Sequence, residues 1–183
     1  LVGSEMCIRD SMTTKKQEKI KFSKAFWVAN TVELFERAAY YGVFIVITLY
    51  LSRILGFNDI QAASIAGIFS ACLYLLPTFA GALADKIGFR NSMLLAFTLL
   101  TCGYLGLAVY PTWLQSAGLV EYSTTTTFTG LLESNLQYGI IPIMALIVCG
   151  GAFIKSVISG TVAKETTPET RAKGFSIFYA MVN

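Results

Sequence analysis

The sequence predicts an all-α membrane protein, with four transmembrane helices and the start of a fifth. Three observations predict it. Hydrophobic residues make up 55% of the 183 residues and charged residues only 14%, against about 25% charged in soluble domains; the mean hydropathy is +0.61. The apolar residues fall in blocks of the length a bilayer requires, about 20 residues at 1.5 Å rise each. Lysine and arginine gather in alternate connections between those blocks, as in a chain threaded back and forth through a membrane.

Residues 1–11 read LVGSEMCIRDS. Residues 5–10 back-translate to GAG ATG TGT ATA AGA GAC, which resembles a transposon-end sequencing adapter read through in frame. They are expected to be an adapter scar and are set aside from the fold. Residues 12–24 form a short basic tail, with Lys15, Lys16, Lys19, Lys21 and Lys24 against Glu18. A solvated tail or a cytoplasmic anchor would both read this way.

The first span covers about 25–51 and opens with Phe26 and Trp27 at the level of the interface. Gly56, Asn58 and Asp59 then break the chain. The second span, about 60–84, carries no charge and holds Gly67, Pro77 and Gly81, which membrane helices tolerate. A polar turn at 85–91 leads to the third span, about 92–110. Residues 111–137 form a Thr-rich connection with Trp113 and Phe128 as interfacial anchors. The fourth span covers about 138–162, and a fifth apolar stretch runs from 174 to 183. That stretch is still open at Asn183, so the chain is expected to be the N-terminal fragment of a longer one, its C-terminal remainder missing.

The tail, the second connection (Lys86, Arg90) and the fourth (Lys164, Arg171, Lys173) hold nearly all the loop cations, while the first has only Arg53. The N-terminus and those loops are therefore expected in the cytoplasm. Composition also excludes chemistry. There is no His, so a His-bearing zinc site or a Ser-His-Asp triad is ruled out within this piece. With Cys7 in the scar, Cys72, Cys102 and Cys149 sit singly in apolar blocks and read as small core residues rather than a disulfide frame or metal site. No phosphate loop is present, and nothing points to nucleic acid.

The first span holds Glu33, Glu36 and Arg37. A charge at the bilayer centre costs about 2.5–3.5 kcal/mol on insertion scales, so three cannot face lipid. At 100° per residue, Glu33, Glu36, Arg37, Tyr40 and Phe44 share one stripe with Tyr41 at its edge, and this stripe must look into a polar cavity. Two carboxylates and one guanidinium leave one surplus negative charge, which suits a bound proton; desolvation and the guanidinium act on a carboxylate's proton affinity in opposite directions. A structural ion pair is the plainer reading. Lys155, in GGAFIKSVIS, is a lone cation in the fourth span. It is expected either to snorkel to the interface or to pair with a carboxylate of the first span or an anionic group of a substrate. Gly150 and Gly151 predict close helix approach beside it.

These residues match a known pattern. The segment 81–90, GALADKIGFR, resembles the loop signature between the second and third helices of major facilitator transporters. ELFERAAYYG, residues 33–42, resembles the ExxER…YYG motif of the first helix of proton-dependent oligopeptide transporters. Ile154-Lys155 resembles their fourth-helix lysine motif, and FSIFYAMVN, residues 175–183, their fifth-helix pattern. The resemblance implies the N-terminal part of a major facilitator bundle in the bacterial inner membrane. It implies proton coupling at Glu33, Glu36 and Arg37, and substrate contacts from Arg37, Tyr40, Tyr41, Tyr74, Lys155 and Asn183. It also implies a cytoplasmic gate built on Gly81, Asp85, Gly88 and Arg90. Two positions depart from it. Phe44 stands where many peptide carriers have Arg, and Ser156 where Pro usually follows the lysine.

The expected function is proton-coupled import of di- or tripeptides. No cofactor is expected, the proton gradient being the drive. The expected partners are a small peptide or other small solute, protons, lipid and the rest of the chain. Phe44 keeps open a carrier of another small solute, an anion or amino-acid derivative. A membrane receptor or membrane-anchored enzyme is the remote alternative.

Overall fold

The computed structural model describes residues 21–118 and 135–183. The adapter scar, most of the basic tail and most of the Thr-rich connection, with Phe128, lie outside the described residues. All regular structure among the described residues is helical. The order is α1 (Lys24–Leu49), a π-helical turn (Tyr50–Ile54), α2 (Asp59–Ile87), α3 (Phe89–Ser116), a 3-10 turn (Asn135–Gly139), α4 (Ile140–Lys164) and α5 (Arg171–Val182). Four segments are long and apolar enough to cross a membrane: Lys24–Ile54, Asp59–Ile87, Phe89–Ser116 and Asn135–Lys164.

Local chemistry sets the helix ends. The Ser23 hydroxyl accepts the Phe26 N–H at 3.1 Å and starts α1. Asn58 and Gln61 form a reciprocal capping box at the start of α2, at 2.7 and 3.3 Å. Gly56, at φ 73°, turns the chain just before it.

Three boundaries differ from those the sequence predicts. The expected polar turn at 85–91 shrinks to Gly88 alone, at φ 90° and ψ 146°, a backbone region open essentially to glycine. Asp85 and Lys86 thus belong to the last turns of α2, and Arg90 to the first of α3. The third span does not stop at Pro111 but runs through it to Ser116. A proline removes one helical hydrogen bond, and here the fully buried Leu114 and the stacked rings of Tyr110 and Trp113 hold the next turn in place. The fifth helix starts at Arg171, after Thr170 has accepted the Thr167 N–H at 3.0 Å, so Arg171 and Lys173 lie in its first turn.

The bundle is organised around α4, which has 56% of its apolar window buried against 22–28% in the other three spans. It packs most extensively on α3, then on α2. As the paired glycines predict, Gly150 lies against the α3 backbone and Gly151 against Leu73 of α2. A Cβ at Gly150 would come 2.8 Å from Leu100 Cγ and 3.0 Å from the Ala96 carbonyl oxygen. Gly150→Ala is therefore expected to lower stability by about 1–3 kcal/mol. Thermal unfolding in detergent checks this against Gly42→Ala, where a Cβ meets nothing within 4 Å.

Two sequence expectations about packing are corrected. Phe26 is not an interfacial anchor but fully buried, stacked on Phe22 at 4.3 Å, while Trp27 is exposed. Cys102 is exposed, and Cys72 and Cys149 are only half-buried on one apolar cleft between α2 and α4; all three are free thiols. Outer faces of membrane helices are as apolar as cores, so an apolar neighbourhood in sequence does not mark the interior.

Candidate functional site

The predicted stripe of α1 turns inward. Glu33, Glu36, Arg37 and Tyr40 are buried, at 1%, 7%, 4% and 4% exposure, whereas Ile45, Val46 and Leu49 on the other side are exposed. Arg37 holds the two carboxylates together. Its Nε lies 2.6 Å and its Nη2 2.5 Å from Glu36 Oε2, and its Nε lies 3.5 Å from Glu33 Oε1. Glu33 Oε2 is buried and accepts no hydrogen bond from the described residues.

Aromatic rings continue the stripe. The Arg37 guanidinium carbon stands 5.0 Å from the centre of the Tyr40 ring. Tyr40 stacks on Phe44 at 5.5 Å and on Phe69 of α2 at 6.3 Å, and Tyr41 tilts against it at 5.3 Å. Phe44 thus closes an apolar wall where the family pattern often places a cation.

Lys155 meets this stripe rather than snorkelling away. It is half-buried and shares a cleft with Glu33, its ammonium lies 4.3 Å from the centre of the Tyr74 ring, and among the described residues no ion pair joins it to a carboxylate. Glu33, Lys155 and Ser156 line one cleft of about 280 Å³, with Phe178 and Val182 of α5 on its wall. One carboxylate, Glu33, and one cation, Lys155, therefore share the cleft, and counted with Glu36 and Arg37 the two helices carry two charges of each sign here. Gly151 lies beside this group: a Cβ there would stand at ordinary contact distance, 3.7 Å, from Glu36 Oε1, the close approach being to Leu73 Cδ2 at 2.8 Å.

Other predicted residues lie apart. Asn183 is exposed, and its side-chain amide donates to the Tyr179 carbonyl at 2.8 Å, away from the cleft wall. Asp85 and Arg90 are exposed near the Gly88 turn. Gly81 faces Ser156 at ordinary contact distance, leaving an opening between α2 and α4. Close by, Lys164 Nζ lies 3.8 Å from the centre of the Phe89 ring.

Sequence reasoning missed three residues. Asn30 is fully buried, donating to the Phe26 carbonyl at 2.8 Å; it precedes Glu33 by three positions, so the helical period contains it. Ser159 shares the cleft with Lys155 and follows it by four. Tyr104 of α3 places a buried hydroxyl near Glu36, Arg37 and Tyr40, and no local sequence signal marks it.

No family model matches the chain, and no solved structure matches it. Curated proteins do. The chain is 30% identical over 127 residues to the dipeptide and tripeptide permease A of Pectobacterium carotovorum, a match covering 69% of this chain and 25% of that protein. It is 35% identical over 85 residues to the protein of the same name from Salmonella typhimurium, covering 46% of this chain and 17% of that one. The Proteus mirabilis permease A is 33% identical over 85 residues. The matches thus span a quarter or less of the length of these relatives. The buried ExxER stripe, four membrane-spanning helices and permease relatives agree, and the chain belongs to the proton-dependent oligopeptide transporter family of the major facilitator superfamily.

Proposed function

We propose that the chain forms part of one half of a proton-coupled symporter that imports di- or tripeptides, a carrier rather than an enzyme. The observation that supports this most is the buried group of Glu33, Glu36 and Arg37 on α1, with Glu33 sharing one cleft with the half-buried Lys155 of α4. Ionisable groups inside a membrane are functional by default because they are costly to keep there. With two anions and two cations in balance, a proton taken by a carboxylate leaves the cleft with one positive charge. That charge favours the terminal carboxylate of a peptide, so proton and substrate binding assist each other. The proton gradient is the drive and no cofactor is needed. The remainder of the cavity comes from the rest of the transporter, since such carriers bind substrate at the interface between repeats.

The bundle end that carries the start of α1, the α2–α3 turn and the end of α4 holds Lys21, Lys24, Lys86, Arg90, Lys164, Arg171 and Lys173; the other holds Arg53. The Ser23 hydroxyl donates to Glu165 at 2.5 Å, which ties these termini together. The basic end is therefore the cytoplasmic one, with the N-terminus inside and the bacterial inner membrane as the location.

Uptake of a labelled dipeptide by the full-length protein in proteoliposomes tests this reading. An inward proton gradient is expected to drive accumulation, and Glu33→Gln is expected to reduce it by about a hundredfold or more, the lower end for an essential proton-transfer group. Equal uptake with and without the gradient would overturn it. Phe44, stacked on Tyr40, favours a second reading in which the solute is an anion or amino-acid derivative. Saturable uptake of such a solute, with none of any peptide, would establish it.

A further inference from the structure

Beyond the charged cleft, the structure holds a second one, lined in part by Gly81 and Asp85. It measures about 440 Å³ and runs along α2 and α4 to Asp85 and Phe89 at the Gly88 turn. The two clefts adjoin along shared walls, since Pro77, Ser156 and Ser159 line both. A liquid water takes about 30 Å³, so each has room for several.

The chemistry changes along this seam. At its inner end stands Glu33, fully buried, with an oxygen that no described residue satisfies. At its middle Ser156 donates across to the Pro77 carbonyl at 2.6 Å and lies 3.0 Å from the Ala152 carbonyl, while Ser159 donates to the Ser156 carbonyl at 3.1 Å. Neither hydroxyl has its accepting lone pairs filled by these bonds, so both are open to a water's O–H. At the outer end is an exposed carboxylate, Asp85. The charged groups facing Glu33 are Glu36 and Arg37 of its own helix and Lys155 of α4; α5 adds only Phe178 and Val182 to the inner cleft.

We infer that Ser156 and Ser159 line a hydrated proton exit leading from Glu33 to the mouth at Asp85. The carboxyl of Glu33 gives its proton to a water in the inner cleft, forming a hydronium and leaving the carboxylate beside Arg37. The excess proton passes along waters whose O–H groups are anchored by the two hydroxyls, is taken by the Asp85 carboxylate and leaves it for bulk water. No other co-reactant is required. This rests on the proton-coupled reading above and adds the route by which the proton leaves.

Two experiments on the full-length protein separate the inference from that reading. First, Ser156→Ala combined with Ser159→Ala is expected to lower gradient-driven dipeptide uptake about tenfold, the order of effect of lost hydrogen bonds to water. Counterflow of the same dipeptide, which needs no net proton release, is expected to fall much less than gradient-driven uptake, and Ser159→Thr to retain uptake. Unchanged uptake, or equal loss of uptake and counterflow, would overturn the role, the second outcome marking a purely structural pair. Second, Ser159→Cys is made in a background with Cys72, Cys102 and Cys149 replaced by Ser and treated with a charged, membrane-impermeant thiosulfonate. Labelling is expected from the Asp85 side only. Labelling from neither side, or only from the opposite one, overturns the exit. This arm needs no peptide, so it stands even if the wild-type protein moves none.

Discussion

Replacing Arg37 by Ala is expected to abolish gradient-driven uptake and to lower the stability of the bundle by about 3–5 kcal/mol, the cost of leaving buried partner charges unpaired. Arg37 is 4% exposed and is the group in contact with both Glu33 and Glu36. Without it two carboxylates on one buried face are left with Lys155 as their nearest described cation. Arg37→Lys is expected to keep part of the stability, because one ammonium neutralises the pair, but it loses the planar fork that reaches both carboxylates. Adding Glu36→Gln to Arg37→Ala is expected to recover part of the lost stability and none of the uptake. Thermal unfolding in detergent and uptake in proteoliposomes read the two effects separately. An Arg37→Ala protein that unfolds at the wild-type temperature would show that the three charges are not coupled as the geometry indicates.

The stripe works because the costs of its parts oppose one another. A lone intramembrane charge costs about 2.5–3.5 kcal/mol, and mutual attraction in a medium of low dielectric offsets much of that only at short range. The 2.5 and 2.6 Å contacts of Arg37 to Glu36 meet that condition, whereas the 3.5 Å contact to Glu33 is looser. Glu33 is also the carboxylate on the cleft. If the stripe couples protons as proposed, Glu33 is the acid expected to exchange one and Glu36 the acid expected to hold Arg37.

Much of this was legible in the sequence. Charges in an apolar block must turn inward, so Glu33, Glu36, Arg37 and Tyr40 follow from a 3.6-residue period and the cost of burial. Gly150 and Gly151 predict the tight α4 contacts because only a missing Cβ lets backbones approach. Other features were not legible, for physical reasons. Lipid and protein interiors are equally apolar, so Phe26 and Cys102 could not be sorted into inside and outside. Gly88 makes its turn in a single residue, and its positive φ is invisible until the backbone is built. Pro111 reads as a breaker, yet the packing of Leu114 carries α3 past it. Tyr104 and Ser159 join the charged group only when α3 and α4 fold against α1 and α2, and no local pattern encodes that meeting.

Lys155→Ala is expected to have the second large effect, and its signature differs from that of Arg37→Ala. Lys155 is half-buried with its ammonium 4.3 Å from the Tyr74 ring centre, so truncating it leaves no deeply buried cation contact broken. Stability is expected to change by about 1 kcal/mol, in the range of an exposed cation–π contact. Transport is expected to fail nonetheless. Without the ammonium the cleft carries one net negative charge, and a proton taken by Glu33 restores neutrality instead of creating the positive charge that receives a carboxylate. Lys155→Arg keeps that charge and is expected to retain measurable uptake, whereas Lys155→Gln keeps the stem, loses the charge and is expected to behave like the Ala variant. Proton-driven uptake and unfolding temperature, measured on the three variants side by side, decide it. If Lys155→Gln transports as well as Lys155→Arg, the lysine serves as packing against Tyr74 and the charge balance between α1 and α4 does not couple proton to substrate.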